Sequence, residues 1–204
     1  MKNIVVFASG SGTNFQSIID AAKSGRLEAN IAGLVANRKG IGAIDRARRH
    51  GIPVEVTDAK HFDNFEAYEH HLLQVLRQWQ THFIALAGYL RKIPASVIRA
   101  YPRRIVNIHP ALLPKYGGKG YYGERVHRAV IKHGDTESGC SIHFVTEKYD
   151  EGPVIARRRV PVYDDDTAET LAARVLQQEH QLYPQVLQQL IKGEIPDSTS
   201  TKSS

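Results

Sequence analysis

The sequence predicts an α/β fold: a doubly wound, mostly parallel sheet with an antiparallel C-terminal portion and a long C-terminal helix. Three observations carry this expectation. Short apolar, β-rich runs alternate with segments of helical spacing up to residue 110, the pattern of βαβ units. Two strand-like runs, 138–152 and 153–166, then meet at a Gly-Pro turn and read as an antiparallel pair. Residues 167–193 finally keep a helical spacing over their whole length.

The elements follow in order. NIVVFA (3–8) is a strand, SGSGTN (9–14) a turn, and FQSIIDAAKSG (15–25) a helix closed at Gly25. IAGLVAN (31–37) is the second strand and IGAIDRARRHG (41–51) a helix closed at Gly51. PVEVTD (53–58) is the third strand, and NFEAYEHHLLQVLRQWQ (64–80) an amphipathic helix. HFIALAG (82–88) is the fourth strand, SVIRAYP (96–102) a helical turn stopped by Pro102, and RIVNIH (104–109) the fifth strand. Residues 114–134 hold a glycine-rich loop and then a helix. Thr167 opens the last helix behind Asp164–Asp166, good N-terminal chemistry. The polar tail 196–204 has nothing to bury and is expected to be disordered, which leaves residues 1–195 as a single domain.

Composition narrows the function. Hydrophobic residues make up 42% and charged residues 24%, as in soluble globular domains. No run approaches a membrane span, and the N-terminus enters a strand without a secretory pattern. The lone Cys140 excludes an internal disulfide and any paired-cysteine metal or redox motif, pointing to a reducing, cytoplasmic setting; inside a strand with no basic neighbour, it reads as a buried hydrophobe. The net charge of +6 is spread over small groups, with no basic arm for nucleic acid, so a small anionic substrate suits it better. The ten histidines show no HxxxH or HExxH spacing, so no metal site is expected.

Two motifs carry chemistry. SGSGTN lies between the first strand and its helix, where exposed backbone N–H groups and the helix dipole favour an anion; it is neither a P-loop nor G-x-G-x-x-G, and an ordinary glycine-rich turn is the alternative. IVNIHPALLP (105–114) ends a core strand with Asn107 and His109, which alternate onto the same face, and Pro110 biases His109 towards an extended backbone. Doubly wound sheets bind ligands beyond this edge. LAGYLRKI (86–93) ends on the same edge, and an acidic group from VTEKYDEGPVI (145–155) reaching His109 would orient its ring and favour its charged form.

Taken together, SGSGTN, LAGYLRKI, NIHPALLP and HFVTEKYDEGPVI, over about residues 3–195, resemble the folate-dependent formyltransferase family. The GSGTN loop and QEHQLYP resemble its glycinamide ribonucleotide branch. The resemblance implies a Rossmann-like formyltransferase fold. It implies transfer of the formyl group of 10-formyltetrahydrofolate, as co-substrate, to the amine of glycinamide ribonucleotide in purine biosynthesis, with no metal. It assigns Asn107, His109 and Asp150 to catalysis; Gly12, Thr13 and Asn14 to the phosphate; and Glu179 to the ribose. Leu90, Arg91, Lys92 and Ile93, with Asn107 and Thr146, Glu147, Lys148, Tyr149 and Asp150, are assigned to the folate pocket. The implied partners are small molecules, not nucleic acid or membrane, and the chain is a monomer or homodimer.

Two departures stand out. Phe65 occupies a position where the family often has a folate-contacting arginine. The segment 115–127 is longer than the common form and has Arg125 in place of a histidine, while His127 matches the second histidine; the segment is either a flap or a passive insertion. The alternatives are another enzyme using formyl folate (a formyltetrahydrofolate hydrolase, or a tRNA or sugar formyltransferase) and a non-catalytic folate- or phosphate-binding module.

Overall fold

The computed structural model describes residues 1–195, so the expectation for the tail at 196–204 lies outside the described residues. Seven strands form one sheet in the order β3-β2-β1-β4-β5-β6-β7. They are β1 (Lys2–Ala8), β2 (Ala29–Ala36), β3 (Val54–Val56), β4 (Phe83–Leu86), β5 (Ile105–His109), β6 (Glu137–Phe144) and β7 (Val154–Pro161). The first five pair in parallel, and β6 and β7 join antiparallel. The six α-helices are α1 (Thr13–Lys23), α2 (Gly42–Arg49), α3 (Phe65–Gln78), α4 (Ala95–Ala100), α5 (Glu124–Lys132) and α6 (Ala168–Lys192).

The alternation of apolar runs and amphipathic segments thus yields the expected fold, with shifts at element ends. The largest are at β6, which ends at Phe144 and leaves 145–152 to a loop, and at β7, which ends at Pro161. Helix α1 begins at Thr13 and takes two residues of the expected turn into its first helical turn. Gly12 makes this early start possible by adopting a left-handed φ of 74°. A Cβ there would lie 2.7 Å from the Cα of Ala43, so no other residue fits without a shift. Asn64 caps α3 by accepting from the Ala67 N–H, and Thr167 caps α6 in a reciprocal pair with Thr170.

The central strands are buried on both faces, which is why they read as unbroken apolar runs. One face packs under α1, α2, α5 and α6 through residues including Phe15, Ile18, Ile44, Val130, Leu171 and Leu187. The other packs under α3 and α4 through Tyr68, Leu72, Leu76 and Val97. Each such side chain contributes roughly 1.5–3 kcal/mol on burial. Tyr183 of α6 is fully buried, with its hydroxyl within 3.0 Å and 3.1 Å of the carbonyls of Leu86 and Val106. It pins the long helix beneath the ends of β4 and β5, where the site lies.

Candidate active site

The winding of the sheet reverses between β1 and β4, and the loops leaving their carboxyl ends splay apart there. Two bonds tie these loops together: Ser9 N–H donates to the Gly88 carbonyl at 3.2 Å, and Leu90 N–H donates to Ser9 Oγ at 2.9 Å. Beside them opens a cavity of about 600 Å³. Its lining includes Asn14, Leu90 to Ile93, Asn107, His109, Thr146 to Asp150 and Glu179. The structure therefore gathers most of the site residues read from the sequence around one cavity.

Gly12 and Thr13 do not line it. Thr13 borders an adjoining depression with Arg26, Arg46 and His180, and Arg46 Nε donates to the Ser11 carbonyl at 2.9 Å. Asn14, which does line the cavity, donates to Glu179 Oε2 at 2.5 Å. Glu179 is almost fully buried, and desolvation pushes its pKa up, partly offset by the Asn14 bond.

The centre is built on β5 and β6. Their antiparallel register sets Asn107 opposite His143 and His109 opposite Ser141. Asp150 comes from the β6–β7 turn, with a left-handed φ of 54° that is uncommon outside glycine. One Asp150 oxygen accepts from Gly118 N–H at 2.9 Å and lies 3.6 Å from His109 Nδ1. The other lies 3.3 Å from His143 Nε2. Burial pushes the Asp150 pKa up, but His143, His109 and the Gly118 N–H together hold it below the ordinary range, so it is ionised.

Backbone carbonyls fix one hydrogen on each ring. His109 Nε2 sits 2.7 Å from the Tyr116 carbonyl, which can only accept, so Nε2 carries the hydrogen and Nδ1 faces Asp150. His143 Nδ1 donates to the Phe144 carbonyl at 2.9 Å, and its Nε2 lies 3.1 Å from Asn107 Nδ2. The remaining Asn107 N–H meets Asp150 only at 3.5 Å, too long for a strong bond, and is available to a ligand.

One electrostatic expectation is corrected. Asp150 does raise the pKa of His109, but burial of the ring lowers it by more, so the net shift is downward and the ring rests neutral at pH 7. His127 is also in the lining; its Nδ1 is buried without a partner, and burial, with His109 nearby, pushes its pKa down to about 4.

His143 was not assigned a role from the sequence, although it falls within the motif HFVTEKYDEGPVI. The available signal was a lone polar residue in the apolar run IHF, but its meaning depends on the strand pairing. The 115–123 segment is no passive insertion. Gly118 to Gly123 line the cavity, Tyr116 accepts from His109, and Gly118 donates to Asp150. Phe65 is more than half exposed, packs beside Tyr68 and does not line the cavity, so it does not replace a folate-contacting arginine. Cys140 is buried, and desolvation raises its pKa to about 12, so it is no nucleophile. Among the described residues no group of three His, Cys, Asp or Glu side chains is arranged to hold a metal ion, and no helix is long and apolar enough to cross a membrane.

The chain belongs to the formyl transferase family, whose model matches residues 2–187. It is 48% identical over 194 residues to the chloroplastic phosphoribosylglycinamide formyltransferase of Vigna unguiculata, covering 95% of this chain and 62% of that relative. It is 38% identical over 193 residues to the phosphoribosylglycinamide formyltransferase of Escherichia coli, covering 95% of this chain and 89% of the relative. The crystal structure of glycinamide ribonucleotide transformylase 1 from Symbiobacterium toebii superposes with a TM-score of 0.88 at 37% identity, covering 95% of this chain and 89% of that one. The chain thus spans less than two thirds of the length of the plant relative.

Proposed function

We propose that this protein transfers the formyl group of 10-formyltetrahydrofolate to the amine of glycinamide ribonucleotide, a step of purine biosynthesis. The observation that carries this reading is the Asn107–His109–Asp150 trio at the foot of the cavity, in a chain of the formyl transferase family. Gly12, Thr13 and Asn14 receive the ribonucleotide phosphate at the start of α1, helped by Arg46 behind the loop, and Glu179 holds the ribose. Leu90 to Ile93 and Thr146 to Asp150 hold the folate, whose flat rings suit a largely apolar cleft.

The chemistry is acyl transfer. The amine attacks the formyl carbon, a C–N bond forms, and the carbonyl electrons move to oxygen. Asn107 Nδ2–H donates to this oxyanion, a contribution of roughly 3–4 kcal/mol in comparable sites. The neutral His109 takes the amine proton at Nδ1, the nitrogen left without hydrogen. The imidazolium so formed is stabilised by Asp150 at 3.6 Å and places positive charge near the oxyanion. The proton then passes to the folate nitrogen as its C–N bond breaks, regenerating the resting site.

Residues 1–195 act as one formyltransferase domain on small molecules, not nucleic acid, in a reducing compartment such as the cytoplasm. The protein acts as a monomer or a homodimer. Replacement of Asn107 or His109 by alanine tests the assignment. Each substitution is expected to cut kcat by about a hundredfold or more while leaving the fold intact. Near-normal turnover in both variants would remove the trio from the mechanism.

A further inference from the structure

Asp135 lies between α5 and β6, outside the cavity lining, and its backbone N–H is bonded to the Val130 carbonyl. Its carboxylate receives Lys115 Nζ at 2.6 Å and 2.7 Å, one distance to each oxygen, and the Tyr116 hydroxyl at 2.8 Å. Tyr116 is held at φ 55°, in the left-handed region, which costs a non-glycine residue about 1 kcal/mol or more and persists only when its surroundings enforce it. The conformation turns the Tyr116 carbonyl onto His109 Nε2 at 2.7 Å. Two residues on, Gly118 N–H reaches Asp150 at 2.9 Å. Between them Gly117 packs closely, since a Cβ there would lie 2.6 Å from a terminal methyl of Leu113 and 3.3 Å from the Asp150 Cβ.

From this geometry, and resting on the functional reading above, we propose that Asp135 is a positioning residue that sets the tautomer of His109 through the backbone of Tyr116. Nothing in the Asp135 side chain touches the cavity. Its part is to clasp Lys115 and Tyr116 so that one carbonyl and one amide of the same short segment face His109 and Asp150. With the carbonyl in place, Nε2 must carry the hydrogen, and Nδ1 is the free nitrogen facing Asp150. Without the clasp, Tyr116 relaxes towards negative φ, its carbonyl swings away, and either ring nitrogen can hold the hydrogen.

The test uses the full chain with Asp135→Asn and, separately, Tyr116→Phe, which removes one hydroxyl and leaves the Lys115–Asp135 pair. Nitrogen-15 NMR of the His109 ring, assigned by its absence in His109→Ala, reports the tautomer. Formyl transfer gives kcat and KM. The wild-type ring is expected to hold its hydrogen on Nε2. In both variants it becomes a mixture, and kcat falls about tenfold while KM for each substrate stays within about twofold. An unchanged tautomer in the folded variants, or a shifted tautomer with unchanged kcat, overturns the proposal. A wild-type chain without formyl transfer refutes the functional reading instead, and the tautomer alone then decides whether the clasp exists.

Discussion

Replacing Asp150 with asparagine removes one charge and almost no volume, so its effect isolates electrostatics from packing. Asp150 is ionised, little exposed, and 3.6 Å from His109 Nδ1. At an effective dielectric of about 20, a unit charge at that separation stabilises an imidazolium by about 4–5 kcal/mol. The resting ring is neutral, so under the proposed mechanism this attraction is absent from the ground state and develops only as His109 takes the amine proton. It therefore falls on the barrier, and losing it lowers kcat by about a thousandfold with KM little changed. The assay is formation of the deformylated folate, followed spectrophotometrically at saturating concentrations of both substrates, with circular dichroism to establish folding. A folded Asp150→Asn variant with kcat within about fivefold of wild type would refute the reasoning, because no charge of the expected size could then develop on His109.

Two further outcomes follow from the same geometry. Gly12→Ala forces a left-handed alanine against Ala43 at 2.7 Å, with an expected cost of about 1–3 kcal/mol and a Tm lowered by about 2–10 °C; an unchanged melting curve would contradict the packing argument. His127 takes a proton only near pH 4 when folded but near its ordinary 6.5 when unfolded, so stability is complete above that value and falls as pH drops through the window between them. An NMR titration of the ring checks this, and a folded-state midpoint above about 6 would overturn it.

The sheet was legible because each strand's apolar run and each helix's spacing agreed with the doubly wound arrangement. Asn107 and His109 were legible as a pair because strand alternation puts i and i+2 on one face. His143 was not, since its contact with Asn107 exists only through the β5–β6 register, a long-range property. The contributions of Tyr116 and Gly118 were hidden for another reason. They act through a carbonyl and an amide that every such residue carries, so residue identity announces nothing. The upward pull of Asp150 on His109 is legible in sequence but the net downward shift is not, because sequence shows charge partners far better than depth of burial. Phe65 could be read as a departure, but its placement away from the cavity depended on the start of α3.

The central claim is formyl transfer to a specific amine, and the most direct measurement compares acceptors. Deformylated folate would be followed with 10-formyltetrahydrofolate and glycinamide ribonucleotide, water alone, or initiator tRNA. Product that forms only with glycinamide ribonucleotide, matched by equal formation of its formylated amine, is the predicted result. Product formation with water alone would contradict the account and make the chain a hydrolase.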